Sequence, residues 1–126
     1  MDAQSLALQR PVGRHCLLEV YGCPEALLND PDFIRRVLVE AAHRAGTTLL
    51  NQVIHQFDPY GVTALGLLAE SHISIHTWPE YGFAAIDMFT CGDHAAPEKA
   101  AAFLADVFQA TYYTTQELRR GIVVRS

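Results

Sequence analysis

A chain of 126 residues, half of them hydrophobic and 18% charged, has the length and apolar content for one packed core, which excludes a second domain and intrinsic disorder. Nine Lys and Arg against fourteen Asp and Glu leave a net charge of −5, the wrong sign for a protein that works on phosphate backbones or anionic lipid, so no nucleic-acid or membrane partner is expected. The longest apolar runs, residues 62–69 and 82–86, fall short of a bilayer span, and the opening segment lacks a signal peptide's basic start and apolar core, which predicts a cytoplasmic protein.

Residues 1–12 read as a loose arm ending at Pro11. Residues 14–21 (RHCLLEVY) are rich in strand formers, and Gly22, Pro24 and Asn29-Asp30 then punctuate the chain. Asp30 before Pro31 is an N-cap signal, and Phe33, Ile34, Val37, Leu38, Ala41 and Ala42 recur at helical spacing, predicting a helix over 31–44 closed by Gly46. Residues 47–57 and 61–70 suit two strands of a hairpin turned by Asp58-Pro59-Tyr60-Gly61. Residues 71–78 (SHISIHTW) and 83–90 (FAAIDMFT) alternate across the turn at 79–82, giving two more strands. Pro97 opens a second helix with Ala100, Phe103, Leu104, Val107 and Phe108 on one face, and residues 112–118 and 122–124 predict one or two short final strands. The order β-α-β-β-β-β-α-β predicts an α+β fold, a two-layer α/β sandwich with the helices on one face of an antiparallel sheet.

The strand at 71–78 separates two kinds of side chain. Ser71, Ile73, Ile75 and Thr77 share one side, which is core, while Glu70, His72, Ser74, His76 and Trp78 share the other. A row of carboxylate, imidazole, hydroxyl and indole groups is costly to bury without purpose, so this side reads as the wall of a site, shared with a second subunit. Metal chemistry fits it poorly. His72 and His76 lie four apart, about 13 Å between Cα atoms on a strand, and Asp93 and His94 would join them only by an accident of folding, so no metal is expected. A Ser/His/Asp hydrolase lacks its G-x-S-x-G elbow and its βαβ alternation. Cys16, Cys23 and Cys91 form no C-x-x-C pair and read as free thiols.

The stretch LAESHISIHTWPE (68–80), continued by YGFAAIDMFTCG (81–92), resembles the signature of the bacterial and archaeal S-adenosylmethionine decarboxylase proenzyme family. Gly13-Arg14-His15 and the run from His55 through Phe57 to Thr63 match as well, so the resemblance spans residues 13 to about 108.

The resemblance implies an enzyme that makes its own cofactor. Ser71 attacks the carbonyl of Glu70, and the resulting ester eliminates to leave a pyruvoyl group at position 71, cutting one domain of residues 1–126 into chains 1–70 and 71–126. It implies that His76 is the proton acceptor in processing and that Thr63, where a serine is common, assists with its hydroxyl. The pyruvoyl ketone then condenses with the α-amine of S-adenosylmethionine and takes up the electrons released with CO₂. Cys91 is implied to return a proton to the α-carbon, a task that suits a thiol protonated at neutral pH.

For the substrate, Phe57 and Trp78 are candidates to hold the sulfonium and stack the adenine, with Glu80 for the ribose hydroxyls. Glu70 and His72 flank the cleavage site. Glu19 reads as an edge-strand residue without a role, and His15, His43, His55 and His94 as surface or capping residues. The family resemblance further implies a homodimer of processed units with sheets facing each other, a four-layer α/β/β/α arrangement whose sites draw on both protomers. The length matches the small prokaryotic class, which needs no metal. The activity implied is formation of the aminopropyl donor for spermidine synthesis. Two other readings stand beside it: a pyruvoyl-dependent decarboxylase of arginine or ornithine, and an uncleaved, non-catalytic ligand-binding module.

Overall fold

The computed structural model describes residues 9–91 and 94–124, and in it six strands form one antiparallel sheet. In chain order the elements are β1 (Gln9–Tyr21), α1 (Glu25–Leu28), α2 (Pro31–Arg44), β2 (Leu49–Gln56), β3 (Val62–Leu68), β4 (Ser71–Trp78), a 3₁₀ turn (Pro79–Tyr81), β5 (Phe83–Thr90), α3 (Pro97–Val107) and β6 (Tyr112–Val124). The sheet order is β2-β3-β4-β5-β1-β6, so β4 and β5 lie at its centre.

Local chemistry sets the helix ends. Asp30 caps α2, its carboxylate accepting from the backbone N–H of Asp32 at 3.0 Å and of Phe33 at 3.2 Å, with Pro31 in the first turn. At the other end Ala45 is still right-handed, and Gly46 turns the chain away with φ +72°. The buried stripe of α2 comprises Ile34, Val37, Leu38, Ala41 and Ala42, as its spacing predicts. With Leu104 and Phe108 of the second helical segment it covers Leu18, Val20, Ile73, Ile75, Ala84, Ile86 and Met88 from the strands. Each buried Val, Leu, Ile, Phe or Met side chain among these contributes about 1.5–3 kcal/mol relative to exposure. Thr77, also buried, is satisfied by donating to the Leu28 carbonyl at 2.7 Å and accepting from the Val62 N–H at 2.8 Å.

Four expectations are corrected. Residues 9–12 are not part of a loose arm, because they extend β1 by pairing with the end of β6; residues 1–8 lie outside those described. The final strand is long and not short, running 13 residues unbroken across 119–121, with Gly121 taking the left-handed φ of +66° beside Val12. Short helical turns replace parts of two predicted loops, at Glu25–Leu28 and Pro79–Tyr81. Glu19 is not on an edge, since β1 lies between β5 and β6 and the edges are β2 and β6.

The sheet is covered on one side only. Along β3, β4 and β5 the helix-facing residues are buried, while Thr63, Leu65, Leu67, His72, His76, Ala85, Asp87 and Phe89 alternate onto the far side and retain exposure. Among the described residues no helix lies over this face, and none is long and apolar enough to cross a membrane.

Candidate active site

Two residues, Ala69 and Glu70, turn the chain from β3 into β4, so that Leu68 pairs with Ser71. The hairpin is held from both sides. The Ala69 N–H donates to the Thr48 carbonyl at 2.9 Å, and the Glu70 carboxylate accepts from the Thr48 N–H at 3.0 Å and His94 Nε2 at 2.9 Å. The Thr48 N–H, reinforced by His94, holds the Glu70 carboxyl below the usual carboxylate range. Ser71 pays for this turn with φ +145°, outside the regions that residues with a Cβ favour, and such strain costs on the order of 1–3 kcal/mol. The carbonyl oxygen of Glu70, on the strained peptide, accepts from the Cys91 N–H at 3.0 Å and from its Sγ at 3.2 Å.

Beside Ser71 lies a polar cluster contributed by four strands. Ser71 Oγ is 3.5 Å from His72 Nδ1, and His72 Nε2 is 3.1 Å from Asp87 Oδ2. The same Oδ2 is 2.5 Å from His15 Nε2, while Ser74 Oγ donates to Asp87 Oδ1. Arg120 donates to His15 Nδ1 at 3.1 Å. Burial alone would raise the Asp87 carboxyl, but the hydrogen bonds from Ser74, His15 and His72 outweigh it and hold it below the usual range. His15, His72 and Asp87 also offer ligand atoms within 4.8 Å of one another, although the 2.5 and 3.1 Å N···O distances are hydrogen-bond lengths.

The remaining candidates gather at the other end of the sheet. Thr63 Oγ1 meets His76 Nδ1 at 3.1 Å across β3 and β4, and Trp78 lies against Phe83 with ring centroids 5.5 Å apart. Phe57, just beyond β2, packs edge-on against His55 at 4.6 Å, and Glu80 is exposed in the 3₁₀ turn. His76 is five residues along β4 from Ser71, about 16 Å at strand rise. The chain therefore holds the candidates in two groups: Glu70, Ser71 and Cys91 at one end, and Phe57, Thr63, His76, Trp78 and Glu80 at the other.

Between them a cavity of about 340 Å³ is lined by Leu17, Glu19, Ser74, His76, Ala85 and Asp87. Glu19, which the sequence left without a role, thus faces the site side and accepts from the Tyr21 hydroxyl at 2.8 Å. His15, half-buried against Asp87, is likewise part of the constellation and not a surface residue, while His94 is exposed as expected but also reaches the Glu70 carboxylate. Asp87 was missed as a site residue; its signal was a lone carboxylate among the apolar residues of 83–90, in phase with Phe83 and Phe89. Asp93 lies outside the described residues.

Comparison with known proteins fits this frame. A family model described as S-adenosylmethionine decarboxylase matches residues 14–121. The chain belongs to the S-adenosylmethionine decarboxylase family. The match runs beyond the sequence motif into β6, Arg120 included. The chain is 57% identical over 109 residues to the S-adenosylmethionine decarboxylase proenzyme of Parasynechococcus marenigrum strain WH8102, covering 86% of this chain and 85% of that one. It is 46% identical over 114 residues to the proenzyme of Acidithiobacillus ferrooxidans strain ATCC 53993, covering 90% and 86%. The crystal structure of the adenosylmethionine decarboxylase from Aquifex aeolicus VF5 superimposes with a TM-score of 0.86 at 36% identity, covering 93% of this chain and 97% of that one.

Proposed function

We propose that the chain cleaves itself between Glu70 and Ser71 into residues 1–70 and 71–126, converts Ser71 to a pyruvoyl group, and decarboxylates S-adenosylmethionine to the aminopropyl donor used in spermidine synthesis. One observation carries the reading: the strained Ser71 follows a carbonyl that already accepts two hydrogen bonds from Cys91. Donors placed on a carbonyl oxygen stabilise the negative charge that develops there when a nucleophile adds to its carbon. The hydroxyl that would add belongs to the next residue.

The residues around position 71 suit a pyruvoyl group. Once formed, that group supplies a ketone that takes up the substrate α-amine and accepts the electrons released with CO₂. Cys91, with Sγ 3.2 Å from the Glu70 oxygen, lies beside position 71 and holds the proton that the α-carbon requires. Phe57 and Trp78 are exposed aromatic faces suited to a sulfonium and an adenine, and Glu80 is an exposed carboxylate suited to ribose hydroxyls.

His76 and Thr63 act in processing as a hydrogen-bonded pair. Their distance from Ser71 of the same protomer supports a dimer in which two open sheet faces meet head to tail. Each Ser71 end then lies against the partner's His76, Phe57 and Trp78 end, giving four layers α/β/β/α. Apposition would also cover Leu65 and Leu67, which a lone protomer leaves 49% and 56% exposed. The acidic chain works in the cytoplasm, without a nucleic-acid or membrane partner.

Intact-mass spectrometry under denaturing conditions tests the processing. Two chains, 1–70 and 71–126, are expected, the second lighter than its sequence because Ser71 has lost its amine, and Ser71→Ala should leave one uncut chain. A single uncut wild-type chain would sink the self-cleavage reading. CO₂ release from carboxyl-labelled S-adenosylmethionine, arginine and ornithine offered side by side then tests the substrate, and preference for either amino acid would overturn it.

A further inference from the structure

We propose that His72 is the base that takes the Ser71 hydroxyl proton in the ester-forming step, held in position by Asp87; the inference rests on the self-cleavage reading above. Neighbouring residues of a regular strand point to opposite faces, so a serine and the histidine after it ordinarily cannot meet. The φ of +145° at Ser71 breaks that alternation, and its Oγ lies 3.5 Å from His72 Nδ1. Catalytic hydrogen bonds of this kind are often long before the reacting complex forms.

The network fixes which nitrogen is free. A guanidinium only donates, so Arg120 at 3.1 Å makes His15 Nδ1 an acceptor and leaves the proton of a neutral His15 on Nε2, facing Asp87. Asp87, an acceptor on both oxygens, receives Ser74 Oγ–H on Oδ1 and His15 on Oδ2. His72 Nε2 therefore donates to Asp87 as well, and its Nδ1 presents a lone pair to Ser71 Oγ. Serine, imidazole and carboxylate stand in the order of a hydrolase triad, with the two ring nitrogens exchanged and the seryl peptide itself as the acyl donor. His76 lies five residues farther along the same strand and reaches a Ser71 only across the proposed dimer, where its role in processing falls after ester formation.

The step balances without a co-reactant. His72 Nδ1 takes the Ser71 hydroxyl proton as Oγ adds to the Glu70 carbonyl carbon, and the oxyanion is held by the Cys91 N–H and S–H. When the C–N bond breaks, the imidazolium returns its proton to the departing Ser71 nitrogen. An ester between the Glu70 carboxyl and Ser71 Oγ remains, with a free amine at Ser71. Asp87, His15 and Arg120 are positioning residues, because each acts only through His72.

Pulsed cell-free synthesis followed by intact-mass spectrometry tests the assignment, with hydroxylamine added to cleave accumulated ester. His72→Gly is expected to slow loss of the hydroxylamine-resistant precursor by at least 100-fold, and added imidazole should restore part of the rate by filling the space that the side chain vacates. Asp87→Asn should slow the same step and Asp87→Glu recover part of it. If His72→Gly fails to fold by circular dichroism, His72→Gln with the same readouts decides. A His72 variant forming ester within twofold of the wild-type rate overturns the proposal, and so does a slowed variant that imidazole does not rescue. A wild-type chain that never cleaves overturns the self-cleavage reading itself.

Discussion

The carbonyl oxygen of Glu70 receives both hydrogen bonds that Cys91 can direct at it, the backbone N–H at 3.0 Å and the thiol at 3.2 Å. The two donors separate under substitution. Cys91→Ala removes the thiol and keeps the N–H, so self-cleavage should slow only on the order of tenfold, a thiol being a weak donor. Decarboxylation should fall much further, by about 10²–10⁴, if the thiol is the group that protonates the α-carbon. Time-resolved mass spectrometry gives the first rate and labelled CO₂ release from fully processed variant the second. Equal losses in both would deny the thiol a separate role in turnover.

Phe57 and Trp78 invite a different test, because they are 49% and 40% exposed and contribute little to the core. Replacing either by Ala should raise KM for S-adenosylmethionine about 3- to 30-fold, the range that a cation–aromatic contact accounts for, with kcat nearly unchanged. The measurement is steady-state kinetics on processed enzyme. A fall in kcat at constant KM would place these rings in the chemistry and not in binding.

Much of this arrangement was legible in the sequence because it depends on local period. The alternation of residues 71–78 places Ile73 and Ile75 in the core and His72 and His76 on the open face, and both burial assignments hold. What period cannot supply is strand order. Cys91 reaches the Glu70 carbonyl because β4 pairs with β5 in a register that sets Ser71 opposite Thr90. His15 reaches Asp87 because β1, far away in sequence, inserts between β5 and β6. For the same reason Glu19 looked like an edge residue, and His94, in the loop leading to α3, gave no sign that it would meet Glu70. The strain at Ser71 was equally hidden, since a serine carries no compositional mark of a positive φ.

Acid stability reports on Asp87. Its carboxyl is held below the usual range in the folded protein, burial opposing and the bonds from Ser74, His15 and His72 prevailing. A group whose folded pKa is depressed stabilises the fold above its unfolded pKa, about 3.9 for Asp, and that contribution is lost as pH falls through the lower folded value. Asp87→Asn cannot ionise and lacks the contribution at every pH. The melting temperature of wild type should therefore exceed that of the variant by most near pH 6–7, with the gap closing below about pH 4. A gap that is constant from pH 7 to pH 3 would mean that Asp87 acts by packing and not by charge.

Gly13 ties the fold to the site at one point. A Cβ placed there would lie 2.6 Å from Phe89 Cε1 and 2.8 Å from the Thr90 carbonyl oxygen. The ring of Phe89 packs between those of His15 and His72, at 5.4 and 6.1 Å, so it cannot swing aside without disturbing both imidazoles. The Thr90 carbonyl is backbone of β5, one residue before Cys91, and yields only if the strand shifts. Overpacking of this kind costs about 1–3 kcal/mol. Gly13→Ala should thus lower the unfolding free energy from urea titration by that amount and also slow self-cleavage, because the strand that carries the Cys91 donors moves with Thr90. A variant that loses stability but processes at the wild-type rate would show that the Phe89 ring alone absorbs the added methyl group.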